Sequence, residues 1–127
     1  MENIVNFRAY IKEYNKIYRV YNLMENGDRV EVIDINGNFV GDGFYKNEFV
    51  LMQSTDFIDK NNKIVYEGDV VIGNCQQFVV CFQDCQFVLK KIHRYEDKEY
   101  DYSLCCFDKH DIEVIGNIYE NQELLKE

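Results

Sequence analysis

Five cysteines and two histidines are the side chains of this chain most able to do chemistry, and their spacing decides what chemistry is open to them. Cys75, Cys81 and Cys85 stand apart along one stretch, and Cys105 and Cys106 are adjacent. A structural zinc site draws its thiolates from close pairs of the Cys-x-x-Cys kind, and neither group has that spacing. On a strand, Cys81 shares a face with Val79, while Cys105 and Cys106 point to opposite faces and so cannot readily share an ion. The expectation is five reduced thiols acting as small buried hydrophobes, with no metal and no cofactor. His93 lies among Lys90, Lys91 and Arg94, and His110 lies between Asp108, Lys109 and Asp111. A general base needs a partner and a pocket, and the sequence shows neither beside these histidines. No catalytic residue is assigned, and the chain is not expected to be an enzyme.

The carboxylates and glycines read as turn formers. Asp56, Asp59, Asn61 and Asn62 imitate a calcium loop only loosely, because the loop's glycine and its final bidentate glutamate are missing from their places. Gly41, Asp42 and Gly43 suggest a bend, since no Lys-Ser/Thr and no opening helix follow to make a phosphate cradle. The basic cluster of Lys90, Lys91, His93 and Arg94 runs straight into Glu96, Asp97, Glu99 and Asp101, which reads as a solvated charged hairpin. With a formal net charge of -9, binding to a phosphate backbone is not expected. Ten tyrosines and nine phenylalanines could stack on bases, but in a small β domain they chiefly fill the core and cross-strand pairs. An exposed subset would make a protein-binding patch.

The elements that must position these residues are strands. Val30 and Val32 alternate with charged neighbours, and Asn26-Gly27 and Asn36-Gly37 flank them as hairpin turns do. Ile4 to Leu23 suggests a first hairpin, with a short helix around Tyr10 to Ile17 as the competing reading. The segment STDFIDKNNK after Gln53 is expected to be a long turn, because its Ser, Asp and Asn side chains compete for backbone amides. From Lys63 the runs KIVY, DVVIG, QFVVCF, QFVLKKI, YSLCCF and IEVIGNIY read as short strands closing into a small barrel. The expected fold class is all-β: an N-terminal β-meander over residues 1–60 packed on a small C-terminal SH3-like barrel over residues 61–127, together one compact unit. Asn121 is expected to cap a short C-terminal helical turn carrying Leu124 and Leu125. No proline is present to block strand edges, which leaves room for pairing between copies. The sequence has neither an apolar run of about 20 residues nor a signal-peptide start, so no membrane segment is expected and the location is read as cytoplasmic.

Three segments carry a family resemblance: NFRAYIKEYNKIY, LMQSTDFIDKNNKIVYEGDVV and IEVIGNIYENQELL. They resemble the YopX proteins of bacteriophages and prophages, through Phe7, Arg8 and Ala9, then Leu51, Met52 and Gln53, then Tyr66 to Asp69, then Ile115 to Asn121. The resemblance implies an all-β protein with an SH3-like second half, encoded in phage or prophage genomes of Gram-positive bacteria and working in the bacterial cytoplasm. It implies no known enzyme and transfers no catalytic, cofactor or metal residue. Two positions depart from the pattern: the family often has Thr-Gly where this chain has Thr55-Asp56, and Pro where it has Gln122. Within Tyr66-Glu67-Gly68-Asp69, Gly68 is expected to bend and Asp69 to bond nearby amides, with a rim site on Glu67 and Asp69 as the rival. Arg8 is expected to pair with a carboxylate inside the protein or across a subunit contact. The functional expectation is a non-enzymatic accessory protein that binds another protein or its own copies. Two rivals are an acidic mimic of nucleic acid that blocks a DNA-binding protein, and a nucleic-acid-binding barrel using Lys90, Lys91 and Arg94.

Overall fold

The computed structural model describes residues 7–92 and 102–125, and among these every regular element is a strand or a short 3-10 turn. The chain divides into two units, Met1–Gln53 and Ser54–Glu127. The division falls inside a strand, seven residues before the boundary expected from the sequence.

The first unit holds β1 (Phe7–Ile11), β2 (Lys16–Met24), β3 (Arg29–Ile33), β4 (Phe44–Tyr45) and the first half of β5 (Phe49–Ile58). They lie in the order β4-β3-β2-β1-β5, all antiparallel. The alternation that predicted β3 is met in space: Val30 and Val32 are buried, and with Ala9, Ile11, Val20, Phe44 and Phe49 they form this unit's core. Each Val, Ile or Phe among these contributes roughly 1.5–3 kcal/mol when fully buried. The first hairpin forms as expected and its helical alternative does not: the Tyr14 and Asn15 N–H groups turn back to the Ile11 carbonyl in a single turn, and Lys16 then begins β2. Asn26 and Gly27 take the left-handed conformation expected of that turn.

The second unit holds the rest of β5, then β6 (Ile64–Tyr66), β7 (Asp69–Gly73), β8 (Gln76–Gln83), β9 (Gln86–Lys91), β10 (Tyr102–Ser103) and β11 (Ile112–Asn117). β6 pairs with β5, and the other five form an open antiparallel sheet in the order β10-β9-β8-β7-β11. Val65, Val71, Phe78, Val80, Leu89, Leu104 and Ile112 make its core. Gly68 has φ +89°, and the Asp69 carboxylate accepts the Tyr66 N–H at 2.8 Å, which are the roles expected of them.

Several local expectations are corrected. STDFI is not turn but the second half of β5; its hydroxyls do compete for amides, yet they do so inside the strand as a bulge. YSLCCF keeps only two residues in β10 before a 3-10 turn over Leu104–Cys106, so the opposite-face argument for Cys105 and Cys106 has no strand to rest on. The C-terminal helical turn forms as a 3-10 segment, Gln122–Leu125. Asn121 does not cap it with its side chain, whose Oδ1 instead accepts the Asn117 N–H at 3.1 Å. A Cβ at Gly116 would fall 2.6 Å from that Oδ1, so this reversal needs a glycine.

Candidate functional site

The second unit carries a groove of about 330 Å³, built from the β5 bulge, the start of β9 and the turn after β10. The bulge comes from Ser54-Thr55-Asp56-Phe57, between the Ser54–Tyr66 and Ile58–Ile64 pairs of β5 and β6. Here the Ser54 hydroxyl accepts the Asp56 N–H at 3.0 Å and the Thr55 hydroxyl accepts the Phe57 N–H at 3.0 Å. The Thr55 hydroxyl also donates to the Val65 carbonyl at 2.7 Å, so side chains hold a stretch that ladder bonds leave open. Asp56 sits at φ +62°, a conformation that glycine takes freely and that Asp and Asn tolerate best among the rest.

Opposite the bulge, Gln86 and Phe87 begin β9, and Ser103, Leu104 and Cys105 bring in the other wall. The Ser103 hydroxyl lies 3.4 Å from Gln86 Oε1 and 3.1 Å from the Cys105 sulfur. Phe82, 47% exposed, meets Phe87 edge to face at 4.9 Å and extends the apolar surface along the β8–β9 hairpin. Among the described residues that line the groove, Asp56 is the one carboxylate and none is basic. Such a concave, largely apolar surface with a few polar groups at its wall can bind.

Beyond the bulge, Asp59 is fully buried. One carboxylate oxygen accepts the N–H of Asn61 at 2.9 Å and of Lys63 at 2.8 Å, and the other accepts the N–H of Val114 in β11 at 2.9 Å. Burial works to raise the Asp59 pKa, but the amides of Val114, Lys63 and Asn61, helped by the Lys63 charge, outweigh it and hold the carboxyl below its usual range. Turn formation was the expected role of Asp59, Asn61 and Asn62, and it is met. The tie to β11 was not foreseen: a D-x-N-x-K stretch signals a side-chain turn, but nothing local signals a partner 55 positions away.

The remaining candidates scatter. Three cysteines expected to be buried are exposed. Cys75 and Cys85 follow Asn74 and Asp84 in two-residue hairpin turns with positive φ at both central residues, which directs those side chains to solvent. Cys105 is exposed in the 3-10 turn, and Cys81 is half-buried in β8. Among the described residues no three of His, Cys, Asp and Glu gather as metal ligands would. His110 is exposed in a 3-10 turn, and His93, Arg94 and the acidic run Glu96 to Asp101 lie outside the described residues. Lys91 stands over the Tyr102 ring at 5.9 Å. Gly41 and Gly43 bend the chain with positive φ, and the Asp42 carbonyl accepts a hydrogen bond from Arg29 at 3.1 Å. Asp69 is buried, which removes it from any rim site with Glu67. Arg8 lies in β1 between Met52 and Arg19.

The fold is that of a small all-β protein of two sheet units, and the comparisons place it in a family. Residues 6–126 match the model of the YopX protein family, and the chain belongs to that family. It is similar to the crystal structure of protein EF1440 from Enterococcus faecalis, at 23% identity and a TM-score of 0.65, covering 98% of this chain and 100% of that one. It is also similar to protein yopX from Bacillus subtilis, at 19% identity and a TM-score of 0.52, covering 95% of each chain. No curated protein matches. Family membership brings no enzyme activity with it, and among the described residues no helix is long and apolar enough to cross a membrane.

Proposed function

We propose that this chain is a non-enzymatic accessory protein of phage or prophage origin, working in the bacterial cytoplasm by binding another protein or its own copies. The observation that carries this is the pairing of large aromatic side chains on the surface of each unit. In the first, Tyr21 and Phe39, 55% and 57% exposed, meet edge to face at 5.0 Å; in the second, Phe82 meets Phe87. Exposed rings such as Tyr21, Phe39 and Phe82 are the composition of interface centres rather than of ordinary surface, and half-buried Phe87 anchors Phe82 to the core. Contact through aromatic faces is favoured over pairing at strand edges. β4 and β10 are two residues long, and the Ile112 carbonyl and Val114 N–H of β11 are already taken by Lys60 and Asp59. An SH3-like reading of the second unit draws support from its strand order, with β11 returning beside β7 after 3-10 turns. The acidic-mimic reading has less behind it, because exposed carboxylates such as Glu13, Asp28, Asp84 and Asp108 lie in separate turns of both units.

The test is affinity purification of tagged wild-type protein and of Phe39→Ser and Phe82→Ser from the bacterial host. A reproducible partner that one of the variants loses is the expected result; equal recovery by all three would sink the reading. Light scattering across a concentration series checks self-association, which a strict monomer at high concentration removes.

A further inference from the structure

We propose that the groove of the second unit takes a short segment of a partner protein in which an apolar side chain stands next to a lysine or arginine. This rests on the protein-binding reading above and names the chemistry of the partner. The volume of about 330 Å³ lies at the lower end of the roughly 300–1,000 Å³ typical of ligand pockets, which suits a few side chains and not a folded surface. Phe57, Phe87 and Leu104 give the groove an apolar lining, and Phe82 continues it along the hairpin, so the occupant brings an aliphatic or aromatic side chain.

Charge settles the rest. Asp56 is exposed on the bulge at the groove wall, the described residues that line the groove offer no cation to neutralise it, and the whole chain has a net charge of -9. An ammonium or guanidinium arriving beside the apolar side chain meets that carboxylate next to low-dielectric rings, where the pairing is stronger than in open water. The overall field draws cationic segments in and repels acidic ones. Gln86 and Ser103 provide amide and hydroxyl groups at the wall for the main chain of an extended segment.

The conformation of Asp56 makes the proposal testable without damage to the fold. At φ +62° both Asn and Gly are tolerated, so Asp56→Asn and Asp56→Gly remove the charge and keep the backbone. Selection of a random heptapeptide library on the intact protein is expected to enrich peptides with Arg or Lys adjacent to Leu, Ile or Phe. Fluorescence anisotropy of the best such peptide should show binding about tenfold weaker to both Asp56 variants, with unfolding midpoints no lower than wild type, and weakening with added salt. Enrichment of acidic or uncharged peptides, no enrichment of any peptide, or equal affinity for wild type and Asp56→Asn would each overturn the groove assignment. Cationic peptides that bind Asp56→Asn normally but lose Phe39→Ser would overturn it while leaving the protein-binding reading intact.

Discussion

The loop at Asp34–Asn38 in the first unit and the loop at Asp59–Lys63 in the second are the same device put to two uses. In each, the aspartate N–H donates to the carbonyl four residues on, at 2.9 and 2.8 Å, and its own carbonyl accepts the N–H three residues on, at 3.0 Å in both. In each, one carboxylate oxygen accepts the N–H groups two and four residues on. The third residue after the aspartate has positive φ, Gly37 in one and Asn62 in the other. The difference lies outside the loop. Asp34 is half-buried, whereas Asp59 is fully buried and spends its second oxygen on Val114. A side-chain turn that merely shapes a surface loop thus becomes, with one more acceptor contact, a tie between residues far apart in sequence.

The largest break in this comparison comes from removing the carboxylates. Asp59→Ala leaves three backbone donors without their acceptor, one of them in β11, and is expected to cost about 3 kcal/mol or more, against about 1 kcal/mol for Asp34→Ala. Urea denaturation measures both, and equal losses would mean the Val114 contact contributes nothing. A smaller effect separates the two by pH. Because the Asp59 pKa is lowered in the folded state, its contribution is present above the unfolded value of about 3.9 and is lost as pH falls through the lower folded value. Stability of the wild type should therefore drop more steeply on acidification than that of Asp59→Asn; parallel curves would remove Asp59 from the account. The smallest effect concerns the left-handed position. Gly37→Asn has open space around its new Cβ, and Asn62→Gly keeps a residue at ease with positive φ, so each exchange should shift stability by no more than about 0.5 kcal/mol. A larger loss at Asn62 alone would show that its side chain does more than tolerate the turn.

Period-two alternation made β3 legible, and β-branched and aromatic runs did the same for most strands of the second unit, because burial of one face leaves its mark on consecutive residues. What escaped was decided by groups distant in sequence. Ser54 to Phe57 have turn chemistry, and only the Val65 carbonyl and the β6 partner strand turn that chemistry into a bulge. β4 is two residues that pair with Arg29 and Val30, too short for any pattern. Cys75 and Cys85 look like core residues by type, but the hairpin closes over two residues and puts them at its tips. The groove was illegible for the same reason: Asp56, Phe87 and Leu104 belong to three separate runs, and no spacing announces that they converge. The family label was the most readable feature of all, and it says least about chemistry.

The four short segments that carry that label come together as two pairs. Phe7 to Ala9 face Gln53 to Leu51 across β1 and β5, and Asp69 and Val70 face Asn117 and Gly116 across β7 and β11. In each unit this is the contact that joins the start of the meander to its end, after every neighbouring hairpin has a partner. Such a contact encloses roughly forty residues and gains nothing until the loop entropy has been overcome, so it sets the tempo of assembly while the tight hairpins set themselves. These paired residues therefore sit at the latches of the chain's two units, where a substitution would be felt first as a slower refolding rate.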